Sequence, residues 1–103
     1  MKILNLLIAG SFVFAVAVTP AQAGGDAAAG EAKSATCAGC HGSDFKGMDP
    51  NPALAGLDEA YIVEQLNAFK SGARENMMMQ TFAAQLTDAD IANLAAYLAS
   101  LES

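Results

Sequence analysis

The chain has 103 residues, room for one domain, and sets eleven acidic side chains against five basic ones for a net charge of −6. That balance argues against nucleic acid and anionic membrane surfaces as partners and favours proteins with a basic docking patch. Two cysteines make at most one bridge, so a disulfide framework is excluded.

The first 23 residues have the pattern of a processing signal. Met1 and Lys2 give a positive start, residues 3–18 are almost wholly apolar, and small residues at Ala21 and Ala23 precede Gly24. This is the layout of a secretory signal peptide cut after Ala23. Read instead as an uncleaved anchor, the apolar run falls short of the ~20 residues of a spanning helix. The expected mature domain is therefore 24–103, exported to the periplasm and without a transmembrane segment. In it Lys33, Lys46, Lys70 and Arg74 stand against all eleven acids, a balance of −7. A chain of about 80 residues lies near the lower limit for a self-sufficient core and usually needs a staple.

Three helical stretches follow in order. The first, "GDAAAGEAKSATCAG", has Asp26 as N-cap and is rich in alanine. After it comes "GSDFKGMDPNPALAG", whose glycines and prolines predict a long loop. The second stretch starts at Asp58, carries Tyr61, Ile62, Leu66 and Phe69 at helical spacing, and ends at Gly72. The third has Thr87 as cap, Asp88 and Asp90 in its first turn, and a stripe of Ile91, Leu94, Ala95, Leu98 and Leu101. No strand of useful length is visible, so the expected class is all-α.

Between the first helix and the loop lies Cys37-Ala-Gly-Cys40-His41, which holds both cysteines and the only histidine. Four chemistries compete for it. A thioredoxin-like dithiol needs a βαβ setting. Zinc needs four ligands, and this cluster offers three. A disulfide across two residues closes too small a loop to stabilise much. Covalent attachment of a c-type haem accounts for every residue. Each thiol adds to one vinyl group, the two-residue gap holds both sulfurs on one side of a helical turn, and His41 follows as proximal iron ligand. Ala38 and Gly39 are small enough to let the backbone approach the macrocycle.

With one histidine, bis-histidine ligation is impossible, and methionine is the usual sixth ligand of an electron carrier. Met48 follows His41 too closely to return on the other face of a wide ring. Met77, Met78 and Met79 lie between the second and third helical stretches, in a segment expected to be free to fold over the distal face. As a bland alternative, methionines simply fill irregular core.

The CxxCH near the mature start, the Pro-x-Leu-x-Gly segment, the late methionine and the final "AAYL" together resemble a class I cytochrome c. The likeness is to small bacterial monohaem carriers of the cytochrome c553 kind and to single domains of dihaem cytochrome c4, and it covers nearly all of 24–101. It implies three main helices and connecting loops around one covalent haem c. In that family the axial methionine lies eighteen residues before the aromatic of the last helix, which selects Met79 ahead of Met78, with Met77 third. It implies further that the carbonyl of Pro52 holds the free ring nitrogen of His41 and that Leu54 packs on the haem face. Gly30 would mark a close crossing of the first and last helices near Tyr97, although the first helix lacks the aromatic common in the family. Gln65 and Arg74 are candidates for haem propionates or for plain solvated surface.

A haem with both axial positions filled transfers electrons and does little else. The expected function is a monomeric periplasmic electron carrier rather than an enzyme, docking on redox proteins with basic surfaces. Two alternatives remain: a haem enzyme or gas sensor with a labile distal ligand, and an obligate haem subunit of a larger redox complex. Ile62, Leu66, Phe69, Phe82 and Leu98 are expected to share one core with the haem.

Overall fold

A computed structural model describes residues 24–103, so the signal-peptide reading of 1–23 lies outside the described residues. The described chain forms α1 (Ala27–Lys33), α2 (Ala35–His41), α3 (Glu59–Ser71), α4 (Met77–Ala83) and α5 (Asp88–Ser100). Its one β feature is an isolated bridge between Met48 and Asn51.

Local chemistry sets most of these boundaries. The Asp26 carboxylate accepts from the amides of Ala28 and Ala29, and that of Asp58 from Tyr61. These bonds satisfy helix-start donors that have no partner within the helix. Gly72, at φ 88°, closes α3 in the left-handed conformation that glycine adopts at little cost. Thr87 and Asp90 form a reciprocal capping box at the start of α5.

Two elements differ from the sequence expectation. The single first helix is two, broken at Ser34, which is buried and whose hydroxyl donates to the Glu31 carbonyl at 2.7 Å. Serine side chains compete in this way with the helical ladder. The methionine triplet is not free loop but the first turn of α4, with Asn76 as cap accepting from the Met79 amide at 3.0 Å.

α1 and α5 cross in direct contact at Gly30. A Cβ there would lie 1.9 Å from the Asn93 carbonyl oxygen and 2.9 Å from the Tyr97 side chain. Lys33 and Asp90 add an ion pair at 3.5 Å. The loop between α2 and α3 folds back on this pair: the Leu54 and Ala55 amides both donate to the Phe45 carbonyl, at 2.8 and 2.9 Å. Phe45 itself is buried with Ala55, Ile62, Ala95 and Leu98. Its ring meets Tyr97 edge-on, centroids 6.1 Å apart. The aromatic that α1 lacks thus comes from the loop, a partner the sequence reading missed.

Candidate functional site

The site is built on α2, a helix of seven residues. Cys37 and Cys40 stand three apart, one turn of helix, so both sulfurs lie on the same side. Both are free thiols, Cys37 half-buried and Cys40 exposed. Burial pushes the Cys37 thiol up and the neighbouring Cys40 charge adds to this, against a lowering hydrogen bond from Thr36. Among the described residues, no three His, Cys, Asp or Glu side chains converge on a point that would hold a metal ion by themselves.

His41 ends α2 and is 7% exposed. Its Nδ1 lies 2.7 Å from the carbonyl oxygen of Pro52, which can only accept, so Nδ1 carries the proton. That bond fixes the ring plane and leaves the Nε2 lone pair as the free donor. The loop is locked to the helix end twice more. The Gly47 amide donates to the His41 carbonyl at 2.8 Å, and the Asn51 side chain to the Cys40 carbonyl at 2.9 Å.

Cys37, Cys40 and His41 open onto a cavity of about 1180 Å³. Pro52 and Leu54 line it from the loop, Ile62, Leu66 and Phe69 from α3, Met78, Met79, Phe82 and Ala83 from α4, and Leu94 and Leu98 from α5. The four methionines of this region separate cleanly. Met48 and Met77 lie outside the cavity wall, and Met77 is 82% exposed. Met78 and Met79 both line the wall, but Met78 is 60% exposed while Met79 is half-buried. Gln65 and Arg74 are also on the wall. The guanidinium donates to the Gln65 amide oxygen at 2.8 Å and lies 4.6 Å from the Phe69 ring centroid. Phe82, expected in the shared core, lines the cavity but is 40% exposed.

The fit to a haem follows from this donor set: two free thiols a helical turn apart, one oriented imidazole, two thioethers, and otherwise mostly apolar walls. None of the eleven acids lines the cavity; its only cations are Lys33 and Arg74. Cys37, Cys40, His41, Pro52, Leu54 and Met79 are all brought to this one place.

Comparison with known proteins agrees with the geometry. The family model described as Cytochrome c matches residues 27–102. Cytochrome c4 of Pseudomonas aeruginosa is 47% identical over 81 residues, which are 78% of this chain and 40% of that protein. Cytochrome c-554(548) of Halomonas halodenitrificans is 43% identical over 82 residues, 76% of this chain and 99% of its own length. Among solved structures, the cytochrome c4 of Acidithiobacillus ferrooxidans superposes with a TM-score of 0.73 at 36% identity, covering 80% of this chain and 53% of that one. The chain thus spans less than two thirds of the cytochrome c4 proteins it matches and nearly all of cytochrome c-554(548).

Proposed function

The chain belongs to the cytochrome c family, and on that premise we propose that residues 24–103 are a periplasmic one-electron carrier whose iron is held between His41 and Met79. Membership brings the class I fold and one covalent haem c on Cys37 and Cys40, and with them electron transfer as the activity. Export through a signal peptide cut after Ala23 accounts for residues 1–23.

The haem supplies reversible exchange of a single electron. Around it the chain's own residues hold geometry constant. His41 presents Nε2 because Pro52 holds Nδ1–H. Met79 offers a soft, weak sulfur donor that favours the reduced metal, and its backbone is fixed by the Asn76 cap. Ile62, Phe69, Leu94 and Leu98 are buried apolar walls that keep water away and raise the cost of the extra charge on the oxidised centre. Held by both His41 and Met79, the iron would have no position to offer oxygen or peroxide. The partner is a redox protein with a basic surface, drawn by the balance of −7 that residues 24–103 carry.

The observation that carries this reading is that one cavity gathers both thiols, the Pro52-oriented imidazole and the half-buried thioether of Met79. The test is the oxidised optical spectrum of Met79→Ala beside Met78→Ala. Loss of the sulfur-to-iron charge-transfer band in the Met79 variant and its retention in the Met78 variant is expected. The reverse pattern would move the ligand to Met78, and a band present in both would place it elsewhere.

A further inference from the structure

Away from the haem cavity the described chain begins against a second surface that the carrier function does not use. Gly24, Asp58, Glu59, Ala60, Val63 and Ala92 line a shallow pocket of about 510 Å³ where the first described residues meet α3 and α5. The approach is close. A Cβ on Gly24 would lie 2.6 Å from Oε2 of Glu59, and one on Gly25 would lie 2.3 Å from the backbone of Ala92. The next residue is tied as well, the Asp26 amide donating to the Asn93 side chain at 2.7 Å. Residues 24–26 are thus seated on α5 with Gly24 turned toward the first residue of α3. Covalent geometry then puts the Gly24 nitrogen within about 5 Å of the Glu59 oxygen.

The charges facing this nitrogen are few. Glu59 opens α3, Asp58 is its N-cap, and Asp26 follows in the chain. Asp26 and Asp58 already cap their own helices. Among the described residues, no lysine or arginine pairs with Glu59. A carboxylate left without a cation therefore lies beside the bond that the signal-peptide reading cuts.

We propose that export processing completes this contact: cleavage after Ala23 turns the Gly24 nitrogen into an ammonium that pairs with the Glu59 carboxylate and clasps the mature start to α3. The inference rests on the processing site in the proposed function. Hydrolysis of the Ala23–Gly24 bond by a signal peptidase consumes one water. The hydroxyl goes to the Ala23 carbonyl, which leaves as a carboxylate, and the Gly24 nitrogen takes up the protons. In the unprocessed chain that nitrogen is a neutral amide with no charge to offer.

The test uses the haem-loaded protein purified from its export compartment. Mass spectrometry first establishes its starting residue. The pH dependence of α-amine acylation by a small reagent then gives the amine pKa in the native chain, in Glu59→Gln and in Asp58→Asn. In the native chain the midpoint should lie at least about 0.5 unit above the ordinary 7.7–8.0 of an α-amine. It should return to that range in Glu59→Gln, stay largely raised in Asp58→Asn, and fall toward it in high salt. Equal midpoints in the native chain and Glu59→Gln would overturn the pairing while leaving the processing site intact. A starting residue other than Gly24 would instead sink the processing reading and the clasp with it.

Discussion

At His41 a buried imidazole is held by one short hydrogen bond to a backbone carbonyl. Because the acceptor belongs to the backbone of Pro52, side-chain substitution there alters the loop rather than deleting the bond. Gly30 is the most exacting single position. Its hypothetical Cβ meets α5 backbone, which cannot rotate away as a flexible side chain would. Gly30→Ala is expected to cost about 3 kcal/mol, read as a lower denaturant midpoint; a shift within the noise would show that the crossing relaxes. Asp90 makes a different case. The hydrogen bond from the Thr87 backbone, with smaller help from its hydroxyl and from Lys33, holds its carboxyl below the ordinary carboxylate value. A folded-state value lowered in this way contributes stability that is present above the unfolded value near 3.9 and is lost as the pH falls through the folded one. Asp90→Asn should therefore flatten the acid limb of the stability–pH curve below about pH 4 and leave its shape at neutral pH unaltered. The Lys33 share is surface-exposed and contributes little.

At the scale of elements, caps govern. Thr87 and Asp90 each satisfy the other's amide at 3.0 Å, so Thr87→Ala should cost about 1 kcal/mol in chemical unfolding and leave the spectrum of the site unchanged. A coincident change in that spectrum would mean that α5 and α4 are more tightly coupled than their contacts suggest. The sequence made α3 and α5 legible because each combines a cap with an apolar stripe of helical period and runs for 13 residues. α4 was not, since seven residues are too few for a periodic pattern and three consecutive methionines carry no phase. Its one local signal was Asn76, three residues before Met79 and placed as an N-cap. The break at Ser34 was hidden by helix-favouring alanines on both sides. Phe45 was hidden by a loop rich in glycine and proline, where burial depends on tertiary contacts that no local pattern encodes. The two thiols and the imidazole were legible in full because their spacing is itself the chemistry. Met79 follows only from family spacing, and both Met78 and Met79 line the cavity.

At the scale of the whole molecule, the helices of residues 24–103 surround a cavity of about 1180 Å³ lined by much of the apolar inventory of those residues. Residues that would otherwise make one core face that space, so the group attached to Cys37 and Cys40 is expected to act as the missing centre of the fold. Cys37→Ala/Cys40→Ala should be largely unfolded by far-ultraviolet circular dichroism, whereas a helical spectrum like that of the native protein would show that the polypeptide suffices. Docking has its own signature. None of the acids lines the cavity, so they act at a distance, and the proposed association with a basic partner should slow as salt rises. The most direct test of the central claim is a potentiometric titration of the purified protein followed in the visible. A single one-electron wave from one c-type haem that stays low-spin at both ends is expected. A high-spin oxidised form that binds added peroxide would contradict it.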